Sequence, residues 1–174
     1  MRELHIKPTG RERTWPEDEV IVSKTDLKGR ITYANRTFMK VSGYSEAELL
    51  AKPHSIVRHS DMPRCVFKLL WDTIESGNEI FAYVKNLAKN GDHYWVFAHV
   101  TPTFDTQGQI IGYHSNRRLP ERHNVLLFED LYRQLVAEEK SHTDWRAGMA
   151  AAASMLQGVI DQKHMTYEQF IFSL

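Results

Sequence analysis

At 174 residues the chain has room for one domain of ordinary size plus an extension, and a domain of roughly 100–120 residues can bury a single core. A hydrophobic content of 42% with 25% charged residues is that of a water-soluble globular protein, and 22 basic against 22 acidic residues leave no net field to attract nucleic acid or anionic lipid. The single cysteine, Cys65, excludes an internal disulfide and an all-cysteine metal cluster. It reads as a small buried hydrophobe on a helix. The longest weakly polar run, Met149 to Ile160, is too short and too polar to span a bilayer. Met1 to His5 lacks the apolar core of a secretion signal, so a cytoplasmic protein without membrane insertion is expected.

Residues 1–18 carry Pro8, Gly10 and Pro16 and read as a loose polar arm that Trp15 can pin. Val20-Ile21-Val22 and Arg30 to Ala34 read as two strands of a hairpin turning at Asp26 to Gly29. Three helical pieces follow. Asn35 can cap a short helix that ends at Gly43. Ser45 and Glu48 form a capping box ahead of a second helix that Pro53 closes. Asp61 can cap a third, in which Phe67, Leu70, Trp71 and Ile74 share one apolar face before Gly77. Ile80 to Asn86 and His93 to Thr101 are strands around the turn Lys89-Asn90-Gly91-Asp92, and Gln109 to Ser115 is a last strand. Two strands, three short helices and three strands predict an α+β domain over 19–120, with an antiparallel sheet and helices on one face.

Residues 121–174 hold no strand-like run. From Phe128 to Val159 apolar residues alternate spacings of three and four, which fits one long helix paired with a copy of itself. The polar interruptions at Glu138 and His142 coincide with a cap formed by Ser141 and Asp144, and this favours a helical hairpin. The extension is expected to dimerise or to dock on a partner. Its last ten residues, with Tyr167, Phe170, Ile171 and Phe172, are too apolar for a free tail.

Polar chemistry concentrates in two places. Val57 to Pro63 packs Arg58, His59 and Asp61 ahead of the third helix. Arg58 offers five fixed donors suited to a pyrophosphate or a ring carbonyl, His59 donates or accepts by tautomer, and Asp61 can hold Arg58 in place. The plain alternative is a helix cap flanked by solvated side chains. Asn86 closes a strand of large residues. Facing the core it needs partners for the donors and acceptor of its amide, which a bound ligand with polar edges would supply; facing solvent it only caps the strand. Trp71 packs on a ligand or fills the core. No HExxH and no Cys/His cluster points to zinc, but His54, His59 or His93 can serve as an axial haem ligand. No nucleophile elbow, glycine phosphate loop or role-bearing carboxylate pair marks an enzyme.

The order of elements, together with Thr25-Asp26-Leu27, Val41-Ser42-Gly43-Tyr44, Val57-Arg58-His59, Asp61-Met62-Pro63, Val84-Lys85-Asn86 and Lys89 to Val96, resembles a PAS domain, and among these the flavin-binding PAS domains of bacterial aerotaxis receptors. The resemblance covers 20–118. It implies the PAS fold, a five-stranded antiparallel sheet, and a non-covalent FAD between sheet and helices. It places Arg58, His59 and Asp61 at the cofactor, with His54, Trp71, Asn35 and Asn86 as neighbours. The implied role is a non-enzymatic redox sensor in aerotaxis or chemotaxis signalling. Such receptors carry a membrane anchor and a long signalling coiled coil after this domain. The output here is therefore expected to pass to a chemoreceptor or another signalling protein. A haem-binding gas sensor and a cofactor-free PAS interaction module are the competing readings. Cys65 lacks the polar neighbours of a blue-light adduct site.

Overall fold

The computed structural model describes residues 6–173. The reading of Met1 to His5 as lacking a secretion signal lies outside the described residues. Strands β1 (Ile21–Thr25) and β2 (Ile31–Ala34) lead into α1 (Arg36–Ser42), α2 (Glu46–Leu49), a 3-10 turn over His54–Val57 and α3 (Arg64–Glu75). Strands β3 (Ile80–Leu87), β4 (His93–Phe104) and β5 (Ile110–Arg118) follow, then α4 (Arg122–Ser141), α5 (Trp145–Gln162) and α6 (Tyr167–Phe172). The five strands form one sheet in the order β2-β1-β5-β4-β3, with every neighbour antiparallel. The α+β PAS fold expected from the sequence is the fold observed.

Local chemistry explains most element ends. The Asn35 side chain accepts from the Phe38 amide, and α1 stops at Gly43, whose φ of 76° is left-handed backbone that glycine adopts without a Cβ penalty. Ser45 and Glu48 form the capping box of α2. Asp61 does not cap α3; that helix begins after Pro63, with no side-chain cap of its own. Instead its Cys65 amide donates to Glu139 Oε1 at 2.9 Å, a carboxylate delivered from α4 onto the positive end of the helix.

The arm is tied down over its described part. The Arg13 amide donates to the His93 carbonyl at 2.7 Å, and the Arg11 carbonyl accepts from the His93 amide at 2.8 Å. Thr9, Arg11, Arg13 and Asn90 all donate to the Asp92 carboxylate. The hydrogen bonds from Thr9, Asn90 and Arg13 and the Arg11 charge hold the Asp92 carboxyl well below its ordinary range, and Trp15 is buried edge-on to Tyr94.

The C-terminal region is the hairpin rather than one long helix. Asp144 caps α5 by accepting from the Arg146 and Ala147 amides. Gly148 sits where a Cβ would collide with the Glu139 carbonyl, so the two helices can close only over a glycine. The apolar seam (Leu135, Ala152, Leu156, Ile160) is buried within the chain. Along β3 and β4, Tyr83 and Trp95 alternate with Val84 and Val96 and point to the opposite face of the sheet. There Phe128 of α4 stacks on Tyr83 at 4.2 Å and the Tyr132 hydroxyl donates to the Tyr83 carbonyl at 2.7 Å. The terminal segment docks as α6: Tyr167 donates to the Phe81 carbonyl at 3.0 Å, and Phe170 and Ile171 are buried. The hairpin thus runs along the outside of edge strand β3 and brings its turn round to α3. No helix among the described residues is long and apolar enough to cross a membrane.

Candidate functional site

A cavity of about 1120 Å³ lies between the inner face of the sheet and α3. It exceeds the roughly 300–1,000 Å³ usual for small-ligand sites. Its walls are apolar where the sheet and α3 face each other, through Val84, Val96, Ala98, Val100, Leu70 and Ile74. The two ends are polar in different ways.

The buried end is made by β1, β5 and the 3-10 turn, while Asn86 of β3 lies further along the sheet wall, its backbone bridged to Arg58. Strand alternation turns Ser23, Ser115 and Arg117 inward, and the register sets Ser23 opposite Ser115 and Arg117 opposite Ala98. The Arg117 guanidinium lies 4.8 Å over the Phe38 ring and donates through Nε to Ser115 Oγ at 3.0 Å and through Nη2 to Ser23 Oγ. His54 Nε2 is 3.2 Å from the same Ser23 hydroxyl, and its ring stacks on Phe38. Burial, aided by the Arg117 charge, pushes the His54 pKa down to about 3, so this imidazole is neutral at physiological pH. Burial likewise lowers Arg117 to about 10. Asn86 Nδ2 and Arg117 Nη1 are buried, belong to residues that line this cavity, and find no hydrogen-bond partner among the described residues. Buried polar atoms are almost always paired, so two unpartnered donors on one cavity wall point to a site that expects a guest.

The open end is formed by the segment before α3 and the turn of the C-terminal hairpin. Arg58 spreads over Phe67 at 4.3 Å and Arg64 over Trp145 at 5.5 Å, with Lys140 beside them on the cavity wall. His59 Nδ1 accepts from the Asp61 amide at 3.1 Å, which leaves the hydrogen on Nε2. Burial lowers its pKa too, against the attraction of Asp61.

Five of the seven residues named from sequence, His54, Arg58, His59, Trp71 and Asn86, line this one cavity. Asn35 and Asp61 do not. Asn35 is engaged by backbone: it accepts from Val22 and Phe38 at 3.0 Å and donates to Val20 at 2.7 Å, stapling β1 to α1. Asp61 does not hold Arg58. Its Oδ2 pairs with Lys85 Nζ at 2.8 Å, outside the cavity, because Lys85 occupies the outward register position beside Asn86. Cys65 is buried off the cavity, with its thiol pushed up to about 12 by burial and by Glu139. A thiol so protonated is a packing group rather than a nucleophile. Arg117, Ser23, Ser115 and Glu139 were not foreseen. The two serines and Arg117 carry a period-2 inward pattern, but only the pairing of β1 with β5 brings them together.

Sheet, flanking helices and the hollow between them define an α+β domain of one class. The family model described as the PAS fold matches residues 31–117, and the chain belongs to that family. The aerotaxis receptor of Escherichia coli (strain K12) is 43% identical over 137 residues, which is 79% of this chain and 27% of the receptor. The nitrogen fixation regulatory protein of Klebsiella pneumoniae is 32% identical over 99 residues, 57% of this chain and 20% of that protein. The chain therefore spans about a quarter of the first relative and a fifth of the second. Among solved structures, the dark structure of the blue-light photoreceptor Aureochrome1 LOV superposes with a TM-score of 0.56 at 23% identity, over 63% of this chain and 82% of that one.

Proposed function

We propose that the domain is a cytoplasmic, non-enzymatic redox sensor that holds FAD non-covalently and passes the state of the flavin to a signalling partner in aerotaxis or chemotaxis. The observation that carries this reading is the pair of unpartnered buried donors, Asn86 Nδ2 and Arg117 Nη1, on the sheet wall of an apolar slot. Such a slot accepts a flat heteroaromatic ring with polar atoms along one edge. The basic open end, through Arg58, Arg64 and Lys140, suits a pyrophosphate. The similarity to an aerotaxis receptor supports the same reading.

When bound, the flavin takes up and gives back two electrons, and its N5 changes from hydrogen-bond acceptor to donor. Asn86 can answer that change by turning its amide from Nδ2 to Oδ1. Its neighbour Lys85 is held by Asp61 at 2.8 Å and by Glu129 of α4 at 3.5 Å. A shift of β3 at Asn86 is thereby felt by α4, whose face then presents one of two populations to the partner.

The visible spectrum of the purified protein, before and after incubation with FAD, tests this. A yellow flavin spectrum is expected. A red haem spectrum, with His54 or His59 as axial ligand, would replace the reading with a gas sensor. A colourless protein that takes up neither would leave a docking module. Asn86→Asp should keep the yellow colour but lose the redox-dependent change in protease sensitivity of the C-terminal hairpin. An unchanged response would remove Asn86 from the signalling path.

A further inference from the structure

Arg117 is a buried cation without a buried anion. Its side chain is 2% exposed, yet among the described residues no Asp or Glu balances it. Two serine hydroxyls, the Phe38 face and Ala98 across the strand surround it, while Nη1 points to no partner. The titratable groups facing it from neighbouring elements are His54 of the 3-10 turn and Tyr94 of β4. Both are uncharged at neutral pH: burial drives the imidazole down to about 3 and the Tyr94 phenol well above its ordinary value. Arg117 is thus the one permanent charge at the buried end. An isolated guanidinium taken out of water is expensive, and removing such a group normally stabilises a fold. A charge kept there despite that cost fits a role outside folding.

We propose that Arg117 is the counter-ion for negative charge on the ligand's ring edge, and that it keeps the reduced flavin in its singly protonated, anionic form. This rests on the flavin reading. On reduction, two electrons from an external reductant and one proton enter the ring, the proton at N5. The negative charge left on the pyrimidine side is met by the guanidinium. Without Arg117 the same two electrons bring two protons, because the second ring nitrogen then needs a proton to discharge it.

The protein loaded with FAD is titrated with dithionite against a redox dye at several mildly acidic to neutral pH values. The slope of potential against pH counts protons per electron pair. The wild type and Arg117→Lys are expected to take up one proton, and Arg117→Gln two. Arg118→Gln, an exposed cation at the next strand position, should match the wild type. A yellow Arg117→Gln protein that still takes up one proton overturns the proposal while leaving the flavin reading intact. A wild type that binds no flavin overturns the reading itself. Arg117→Met provides a second readout on the FAD-free protein. Its Tm should rise by roughly 2–4 °C, as the loss of an uncompensated buried charge predicts. A fall in Tm would make Arg117 a structural residue and sink the proposal.

Discussion

The two ends of the cavity are built on opposite principles. On the sheet wall leading to the buried end, Asn86 and Arg117 each keep an unpartnered buried atom, although strand pairing locks their backbones. At the open end the polar groups already have partners: Glu139 on the Cys65 amide, Arg58 on Phe67, Arg64 on Trp145. The first end is rigid and unsatisfied, as a recognition site must be before its ligand arrives. The second is satisfied but exposed, and its contacts join α3 to the C-terminal hairpin, so it can exchange partners at little cost. Recognition and transmission are thereby separated along one hollow.

Phe38→Ala should break the buried end most severely. The ring is fully buried between Arg117 and His54, and its loss should cost about 3–5 kcal/mol in a denaturant unfolding curve. Phe67→Ala, at the half-exposed open end, should cost no more than about 2 kcal/mol. Equal costs would erase the contrast in rigidity.

Acid should find the same buried end. His54 is neutral when folded, with a pKa of about 3, against about 6.5 in the unfolded chain. Between those values the unfolded state binds the extra proton. Stability is therefore full above about pH 6.5 and falls progressively as the pH drops toward about 3. The total is on the order of 3–5 kcal/mol. His54→Gln should flatten that part of the curve, and a curve unchanged by it would place the acid sensitivity elsewhere.

Glu139→Gln should act at the open end alone. It weakens the charge on the α3 amino terminus by about 1 kcal/mol. Hydrogen exchange should quicken along α5 and at the start of α3, with β5 unaffected. Faster exchange at β5 as well would mean that the two ends are not separable.

What the sequence revealed follows from the range of each interaction. The caps at Asn35 and at Ser45 with Glu48, and the turn at Asn90-Gly91, involve residues within four positions, and all form as read. The resemblance also puts Asn35 beside the ligand, but its bonds to Val20, Val22 and Phe38 hold its amide between β1 and α1, off the cavity. Asp61 was read as the cap of α3 and the holder of Arg58. Its true partner, Lys85, is 24 residues away, and only the β3 register decides it. The arm was read as loose because its proline and glycine signals are local, whereas the strand it joins begins at His93. Arg117 escaped notice because a charged residue at the end of a strand resembles an exit into solvent. Its burial depends on Ser23, almost a hundred residues earlier, and on Phe38 from α1. Glu139 likewise looked like one more polar position on an amphipathic helix until the hairpin carried it to α3.

The account stands or falls on what occupies the buried end. A high-resolution crystal structure of the protein loaded with FAD should show the flavin ring between Ile74 and the sheet, with Asn86 Nδ2 and Arg117 Nη1 each hydrogen-bonded to it. Density showing that end filled by repacked side chains, or a ligand confined to the Arg58 end with both atoms still unpartnered, would contradict it.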